Sequence, residues 1–363
     1  MAEQTVKFYS LNKHRMKSVK PILLFILMVC FGAADAVAQS GGYAGSFSRM
    51  GFSPRGMAMG NAMTAVHQEG SYAYYNPAMA AIPTESIQLD FSTAALRFDR
   101  QLHMVTANIQ MPPSAGLSIS LLNARVGNID GRTSSGYHTS MLSVNEFQLI
   151  GNFAIRFSER IWAGVGIKYN LANYHSELPN TQNVGIDAGL RVAVTNNLTF
   201  AVAVKDLLSE YRFDSTDLFG QTAGSVNTYS FPLRLITGAA YEISDDWLVS
   251  FDAEFRFQTS DVLRANPLIR TLTFDGFPPM VRTEETSQTT FLRAGSRYSL
   301  HERVTIRGGF EFYDAGGENQ LQPTAGFSLH LPYDRFSPSI DYAFVREPSQ
   351  FSSMHVFSIR LHI

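Results

Sequence analysis

From Glu85 to the C-terminus the chain alternates. In "WLVSFDAEFRF", Trp247, Val249, Phe251, Ala253, Phe255 and Phe257 fall on one face, and Ser250, Asp252, Glu254 and Arg256 on the other. Successive strand side chains point to opposite faces, so this stretch predicts a strand that is apolar on one side and ionic on the other. Strands of soluble sandwiches usually run about five or six residues. These runs reach about ten, the length at which a tilted strand crosses a bilayer.

Fourteen such runs are predicted: 85–95, 101–111, 114–124, 144–157, 161–172, 184–194, 197–205, 232–243, 246–257, 290–299, 303–313, 323–331, 338–346 and 353–363. The joints between them alternate in length. Short turns at 112, 158, 195, 244, 300 and 332 are interleaved with the longer stretches 125–143, 173–183, 206–231, 258–289 and 314–322. Short turns at one end and long loops at the other are the pattern of outer-membrane barrels, and a soluble barrel has no reason to sort its loops by end. The chain ends "HVFSIRLHI", with Phe357, Ile359, Leu361 and Ile363 on one face and Ser358, Arg360 and His362 on the other. In a closed barrel this last strand pairs with the first, because an open edge in lipid leaves backbone groups unsatisfied. The expected fold is all-β: a 14-stranded antiparallel transmembrane β-barrel over 85–363, preceded by an N-terminal hatch or plug over 39–84.

Composition agrees with the pattern. The chain is 45% hydrophobic but only 17% charged, where soluble domains carry about a quarter charged residues. "KPILLFILMVCFGAADAVAQS" reads as an export signal over 1–38, with Ala36-Val37-Ala38 as the cleavage site and Met16 a plausible true start. Cleavage there removes Cys30, the only cysteine, which excludes disulfides and thiolate metal sites from the mature chain. The mildly acidic remainder argues against a nucleic-acid partner.

The segment before the first strand is rich in Gly, Ala and Met, small or adaptable residues suited to packing inside a barrel. Arg55-Gly56-Met57-Ala58-Met59-Gly60-Asn61-Ala62, then Ala65-Val66, then Tyr75-Asn76-Pro77-Ala78, resembles the opening signature of the PorV/PorQ family of outer-membrane proteins. Asn61 stands where that family has glycine, and Tyr75 where it has tryptophan. The family is similar to FadL-type fatty-acid transporters, with fourteen strands and a hatch carrying Asn-Pro-Ala. The resemblance implies a partner-binding role in type IX-like protein secretion, with secretion subunits or exported cargo as partners. The alternative it leaves open is FadL-like transport of a hydrophobic small molecule such as a long-chain fatty acid. Asn76-Pro77-Ala78 is expected to end the hatch and aim the chain into the first strand.

The inward faces predict a network of charges: Asp252, Glu254, Arg256, Arg293, Arg297, Arg307, Glu311, Asp341 and Arg360, with Asp90, Arg156, Lys168, Asp187, Arg191, Lys205, Arg234 and Glu242 beside them. Arg55 is expected to pair with Asp252 or Glu254. The joint 258–289 holds Leu263, Leu268, Ile269, Phe274 and Phe277, an apolar external loop suited to a partner, to a ligand, or to a lid over the mouth. Tyr211, Phe213, Leu218 and Phe219 in 206–231 fit the same tasks. The histidines are scattered, with no nucleophile elbow, metal spacing or nucleotide fingerprint. No cofactor, metal or catalytic residue is therefore predicted, and a surface hydrolase is the last alternative.

Overall fold

The computed structural model describes residues 44–67, 72–82, 87–216, 224–265, 280–315, 318–331, 338–347 and 352–362. The predicted signal and its cleavage site lie outside them.

Fourteen strands close into one antiparallel barrel. In chain order they are β1 (Gln88–Leu96), β2 (Arg100–Met111), β3 (Ala115–Arg132), β4 (His138–Ser158), β5 (Ile161–Asn173), β6 (Thr181–Ala193) and β7 (Leu198–Leu207). After a separate hairpin, β8 (Glu210–Asp214) with β9 (Val226–Ser230), follow β10 (Leu233–Glu242), β11 (Trp247–Ala265), β12 (Met280–His301), β13 (Val304–Ala315), β14 (Glu318–His330), β15 (Ser339–Arg346) and β16 (Ser353–His362). Each barrel strand matches one predicted run. Closure is made by β1 on β16, from Gln88↔His362 through Phe91↔Ile359 to Ala95↔His355. Every wall strand thus has two neighbours, which removes the edge problem.

Alternation becomes sidedness. On β16, Met354, Val356, Ser358 and Arg360 are buried, while His355, Phe357 and Ile359 between them are exposed. Around the wall Phe91, Leu121, Val165, Ile167, Ile306, Phe310 and Phe344 are likewise exposed. The outside is apolar, and the buried interior combines charged and polar side chains with an apolar patch, Met104, Leu122, Ile150, Val345, Met354 and Val356, that packs on the N-terminal segment. Near the short-turn end Trp247 and Tyr298 meet edge to face at 6.5 Å, and Trp247 Nε1 donates to Ser296 Oγ at 2.9 Å. Amphipathic rings of this kind suit a membrane–water boundary.

Two pairs of strands overshoot. β3 with β4, and β11 with β12, run 18, 21, 19 and 22 residues, against about 9–11 for a crossing. The stretches 125–143 and 258–289, expected as loops, are largely hairpin ribbon, paired out to Arg132↔His138 and Ala265↔Met280. Above the apolar belt both faces of a ribbon meet water, so its sequence loses the two-residue period while its backbone keeps pairing. The ribbons mark the long-loop end as the external one.

Candidate functional site

Of the N-terminal segment, residues 44–67 and 72–82 lie inside the barrel. It begins at the external end, where Ala44 packs against the cluster of Tyr211 and Phe231, and Gly45 sits at positive φ under the Phe231 ring. A short 3-10 turn (Ser46–Arg49) is followed by a helical turn (Pro54–Ala58) that starts on proline, whose missing N–H costs nothing at a helix start. The segment then crosses the lumen past Thr64 to Tyr72–Tyr75 and the 3-10 turn Pro77–Ala81 near the short-turn end.

Asn76 holds this path together. Its Oδ1 accepts from Ala78 N–H at 3.0 Å, capping the turn that Pro77 opens. Its Nδ2 donates to Thr64 O at 3.1 Å and to Leu190 O of β6 at 3.3 Å. The Asn-Pro-Ala motif is therefore a clasp that ties two passes of the segment to each other and to the wall. Tyr75 hydroxyl donates to Asn61 Oδ1 at 2.9 Å, and its ring lies where a Cβ on Gly56 would stand. Tyr74 hydroxyl donates to Ser48 O at 2.6 Å, and Lys205 Nζ donates to Tyr74 O. Burial pushes the Tyr74 phenol up to about 12 and the Tyr75 phenol well above its ordinary value. Arg49 is pulled down to about 9, first by burial and then by Arg256 and Arg234.

The wall makes room with glycine. A Cβ on Gly116, Gly164 or Gly189 would come closer than 3.0 Å to Ala80, Pro77 or Asn76. Across the lumen, one on Gly295 or Gly309 would collide with the Met59–Gly60 backbone, and one on Gly326 with Ala58. These glycines face inward on β3, β5, β6, β12, β13 and β14. In the sequence they read as gaps in the strand pattern, and their role was not predicted.

The segment also reaches wall side chains. Arg55 Nε donates to Asp341 Oδ1 at 2.8 Å and Arg55 Nη2 to Ser339 Oγ at 2.7 Å. The expected partners Asp252 and Glu254 are thus corrected to Asp341, because the helical turn at Pro54–Ala58 packs on β14 and β15. Asp252 instead takes the N–H and hydroxyl of Thr64, at 2.9 and 2.7 Å. Thr324 Oγ1 accepts from Gly60 N–H at 3.0 Å and donates to Ala58 O at 2.9 Å. Met57 is fully buried on the same side.

The predicted charges form two groups. Lys168 bridges Asp187 and Asp206 at 2.8 and 2.6 Å, and Asp206 holds Arg234 at 2.7 Å. Arg234 reaches Glu254 at 4.0 Å; Glu254 pairs with Arg256 and, at 2.5 Å, with Arg293, which in turn pairs with Glu311. The chain runs from β5 to β13. Arg256 also stacks over the Phe291 ring at 3.6 Å. Asp206 was missed by the sequence reading. It sits at φ 65 in a bulge of β7 against β6, where alternation breaks down. The second group is Arg55–Asp341, Ser358 Oγ donating to Asp341 Oδ2 at 3.0 Å, and Arg360–Asp90 at 2.6 Å. Arg307 Nη1 donates to Ser328 Oγ at 2.6 Å; Arg297 and Arg307 line, with Arg55, His301 and His330, a polar cavity of about 580 Å³ at the short-turn end.

At the external mouth the β8–β9 hairpin covers the start of the segment. Tyr211 contacts Tyr174, Phe213 and Phe231 edge-on, with centroids 6.3, 6.2 and 4.9 Å apart. Tyr211 hydroxyl donates to Glu146 Oε2 at 3.2 Å. A second polar cavity, about 570 Å³, opens between β9 and the β11–β12 ribbon. Leu263 lies in β11; Leu268, Ile269, Phe274, Phe277, Leu218 and Phe219 lie outside the described residues. Among the described residues no group of His, Cys, Asp and Glu is arranged to hold a metal ion.

Solved structures share this architecture. The Ralstonia pickettii toluene transporter TbuX matches with TM-score 0.56 and 13% identity over 87% of this chain and 98% of that one. A Pseudomonas aeruginosa FadL homologue matches with TM-score 0.57 and 11% identity over 90% and 99%. The Pseudomonas putida toluene transporter TodX gives 0.55 and 12% over 86% and 97%. The chain has the fold of FadL-like outer-membrane barrels. No protein-family model matches it, and no curated protein matches it in sequence. At such identities a FadL-like barrel is an established fold, and its task has to be argued from its own residues.

Proposed function

We propose that this protein is an outer-membrane barrel that admits a hydrophobic small molecule from the external side, with residues 44–82 as its hatch. The observation that carries this reading is the aromatic cover at the mouth. At the external end Tyr211 and Phe231, both buried, and Tyr174 and Phe213, half-buried, form an aromatic cluster that packs directly on Ala44 and Gly45 of the segment. An apolar molecule that wedges into those rings meets the segment next, so binding and displacement of the hatch are coupled. The shared fold with two toluene transporters and a FadL homologue supports the same direction.

Uptake of labelled toluene and of a labelled long-chain fatty acid, in a bacterial host lacking its own transporter for each, tests this. Expression should raise uptake of one of them, and Tyr211→Ala with Phe231→Ala should lower it about tenfold. Uptake no higher than in cells carrying an empty vector would sink the proposal.

A second reading keeps the PorV/PorQ resemblance: a barrel that docks secretion subunits or exported cargo. The ionic, segment-filled lumen and the polar lining of both large cavities favour it, because a conduit for oil needs an apolar path. Under this reading, purification from native membranes recovers exported proteins, and deleting 262–282 abolishes their recovery. If recovery survives that deletion, the docking surface lies elsewhere and this reading loses its loop.

A further inference from the structure

On the outer surface of β15, β16, β1, β2 and β3 the apolar belt stops short of the external rim, and a basic row replaces it. Arg346, Arg97 and Arg125 are all exposed. The row spans two rungs: Arg346 lies opposite Ser353, and two residues along β16 a second line runs from Phe344 through His355, Ala95 and Gln101 to Arg125, with Arg97 just past the end of β1. His103 sits one rung lower, opposite Thr93. Below it Phe91, Val105, Leu121 and Phe357 are exposed by 41–51%. Two residues of strand separate Phe357 from His355 and Leu121 from Asn123, a rise of about 7 Å. The row therefore sits where hydrocarbon gives way to head groups.

Three features set these arginines apart. Arg55, Arg234, Arg256, Arg293 and Arg360 in the lumen are held by carboxylates, whereas Arg97, Arg125 and Arg346 make no ion pair and no side-chain hydrogen bond among the described residues. The acids beside them in the chain are both engaged: Asp99, exposed in the β1–β2 turn, accepts from Asn128 Nδ2 at 3.2 Å, and Glu347 is buried and holds Arg100 at 2.6 Å. The wall is low at β1 and β2 and rises at β3, which runs on beyond Arg125 with β4 to Arg132. β15 ends at Arg346, β16 starts at Ser353, and β1 turns into β2 over three residues, 97–99, while β11 and β12 run on as a ribbon across the barrel.

We infer that Arg97, Arg125 and Arg346 form a docking site for a phosphate-bearing lipid of the outer leaflet, whose acyl chains lie along the Phe91–Phe357 face. A guanidinium offers paired donors that match two phosphate oxygens, and it stays charged at the surface. His355 and His103 are already engaged, by Tyr342 hydroxyl at 2.8 Å and Thr93 hydroxyl at 3.0 Å, and they flank the site without closing it. The site rests on the outer-membrane reading above, and it is independent of what the lumen carries.

The test uses the full mature chain in neutral detergent. It is titrated with a bisphosphorylated lipid A-type glycolipid, or with the same lipid after phosphatase treatment, and bound lipid is counted by native mass spectrometry. A surface basic residue near anionic lipid contributes roughly fivefold, so three together give about a hundredfold preference for the phosphorylated form. Arg97→Gln/Arg125→Gln/Arg346→Gln should lose that preference while its gel mobility still shifts on heating, the sign of a folded barrel. Arg160→Gln/Arg303→Gln, at the short-turn end, should keep it. The inference is overturned if the triple variant binds as well as the parent, if phosphatase treatment changes nothing, or if millimolar inorganic phosphate displaces the lipid. A protein that stays soluble without detergent overturns the membrane reading and this one together. A detergent-soluble barrel without phosphate preference overturns this one alone.

Discussion

Two sides of the lumen meet the same segment differently. Along β5–β7 and β10–β13 the wall neutralises itself: Lys168, Asp187, Asp206, Arg234, Glu254, Arg293 and Glu311 are wall residues that pair with one another. There the segment contributes backbone and hydroxyl dipoles, through Tyr74 O to Lys205 and Thr64 to Asp252. Along β14–β16 the circuit is incomplete without it, because Asp341 takes its ion pair from Arg55. Removing both members of a buried pair is often tolerated, whereas removing one leaves a stranded charge. One side is a self-sufficient wall; the other is a lock that needs its key.

The largest expected effect comes from breaking that lock. Arg55→Ala takes from Asp341 the guanidinium that the segment supplies and leaves it the Ser358 hydroxyl and the neighbouring wall charges of Arg360 and Arg307, which should weaken docking of the segment by about 3 kcal/mol. The readout is protease cleavage within 44–82 at unchanged barrel mobility on an unheated gel. Asp341→Asn in the same chain should recover much of the loss, since the stranded charge is gone. Glu311→Gln on the other side should leave the segment protected. Equal release of the segment by Arg55→Ala and Glu311→Gln would erase the distinction between the two sides.

The sequence was explicit about the wall and nearly silent about the lock. The fourteen runs are legible because lipid and lumen impose opposite polarity on alternate residues, and that constraint holds at every membrane-level position. It stops above the belt, so the ribbons of β3–β4 and β11–β12 looked like loops. It also stops at Lys205, where the bulge turns Asp206 inward out of phase. Inward register shows which charges share the lumen, but not how a plug is rotated within it. Arg55 was accordingly assigned to Asp252 or Glu254 on β11, four strands along the wall from Asp341 on β15. The clasp at Asn76 was visible as a turn signal, but its second and third contacts, to Thr64 and Leu190, depend on the folded path.

A second contrast uses two neighbouring glycines on opposite faces. Gly309 faces the lumen, where a Cβ would strike the Met59–Gly60 backbone; Gly308 faces outward, with its nearest neighbour, Thr324 O, 3.9 Å away. Gly309→Val should loosen the segment by about 2 kcal/mol, the usual cost of overpacking. Gly308→Val should be close to neutral, with the same added bulk on the same strand. Thermal release of the segment, followed by proteolysis, reads the difference. Equal behaviour of the two variants would mean that the inward glycines do not shape the seat.

The smallest effect is one of pH, and it belongs to the self-sufficient side. Tyr74 is held near Lys205, donates to Ser48 O, and has its phenol raised to about 12 by burial. A raised value means that the docked segment keeps its proton where a free tyrosine, at about 10, has lost it. Docking strength is thus complete below pH 10 and declines as pH rises towards 12. At about pH 11 the loss amounts to about 1.4 kcal/mol. Tyr74→Phe removes this titration at the cost of one hydrogen bond, so the variant should start weaker and lose less between pH 9.5 and 11. The Arg55–Asp341 lock is insensitive over that interval, because a guanidinium stays charged there and Asp341 stays ionised. Burial raises the Tyr75 phenol as well, so protease release of 44–82 across the interval should become shallower in Tyr74→Phe, flatten only when Tyr75→Phe is added, and keep its slope in Glu311→Gln; an unchanged slope in Tyr74→Phe would remove Tyr74 from the alkaline response.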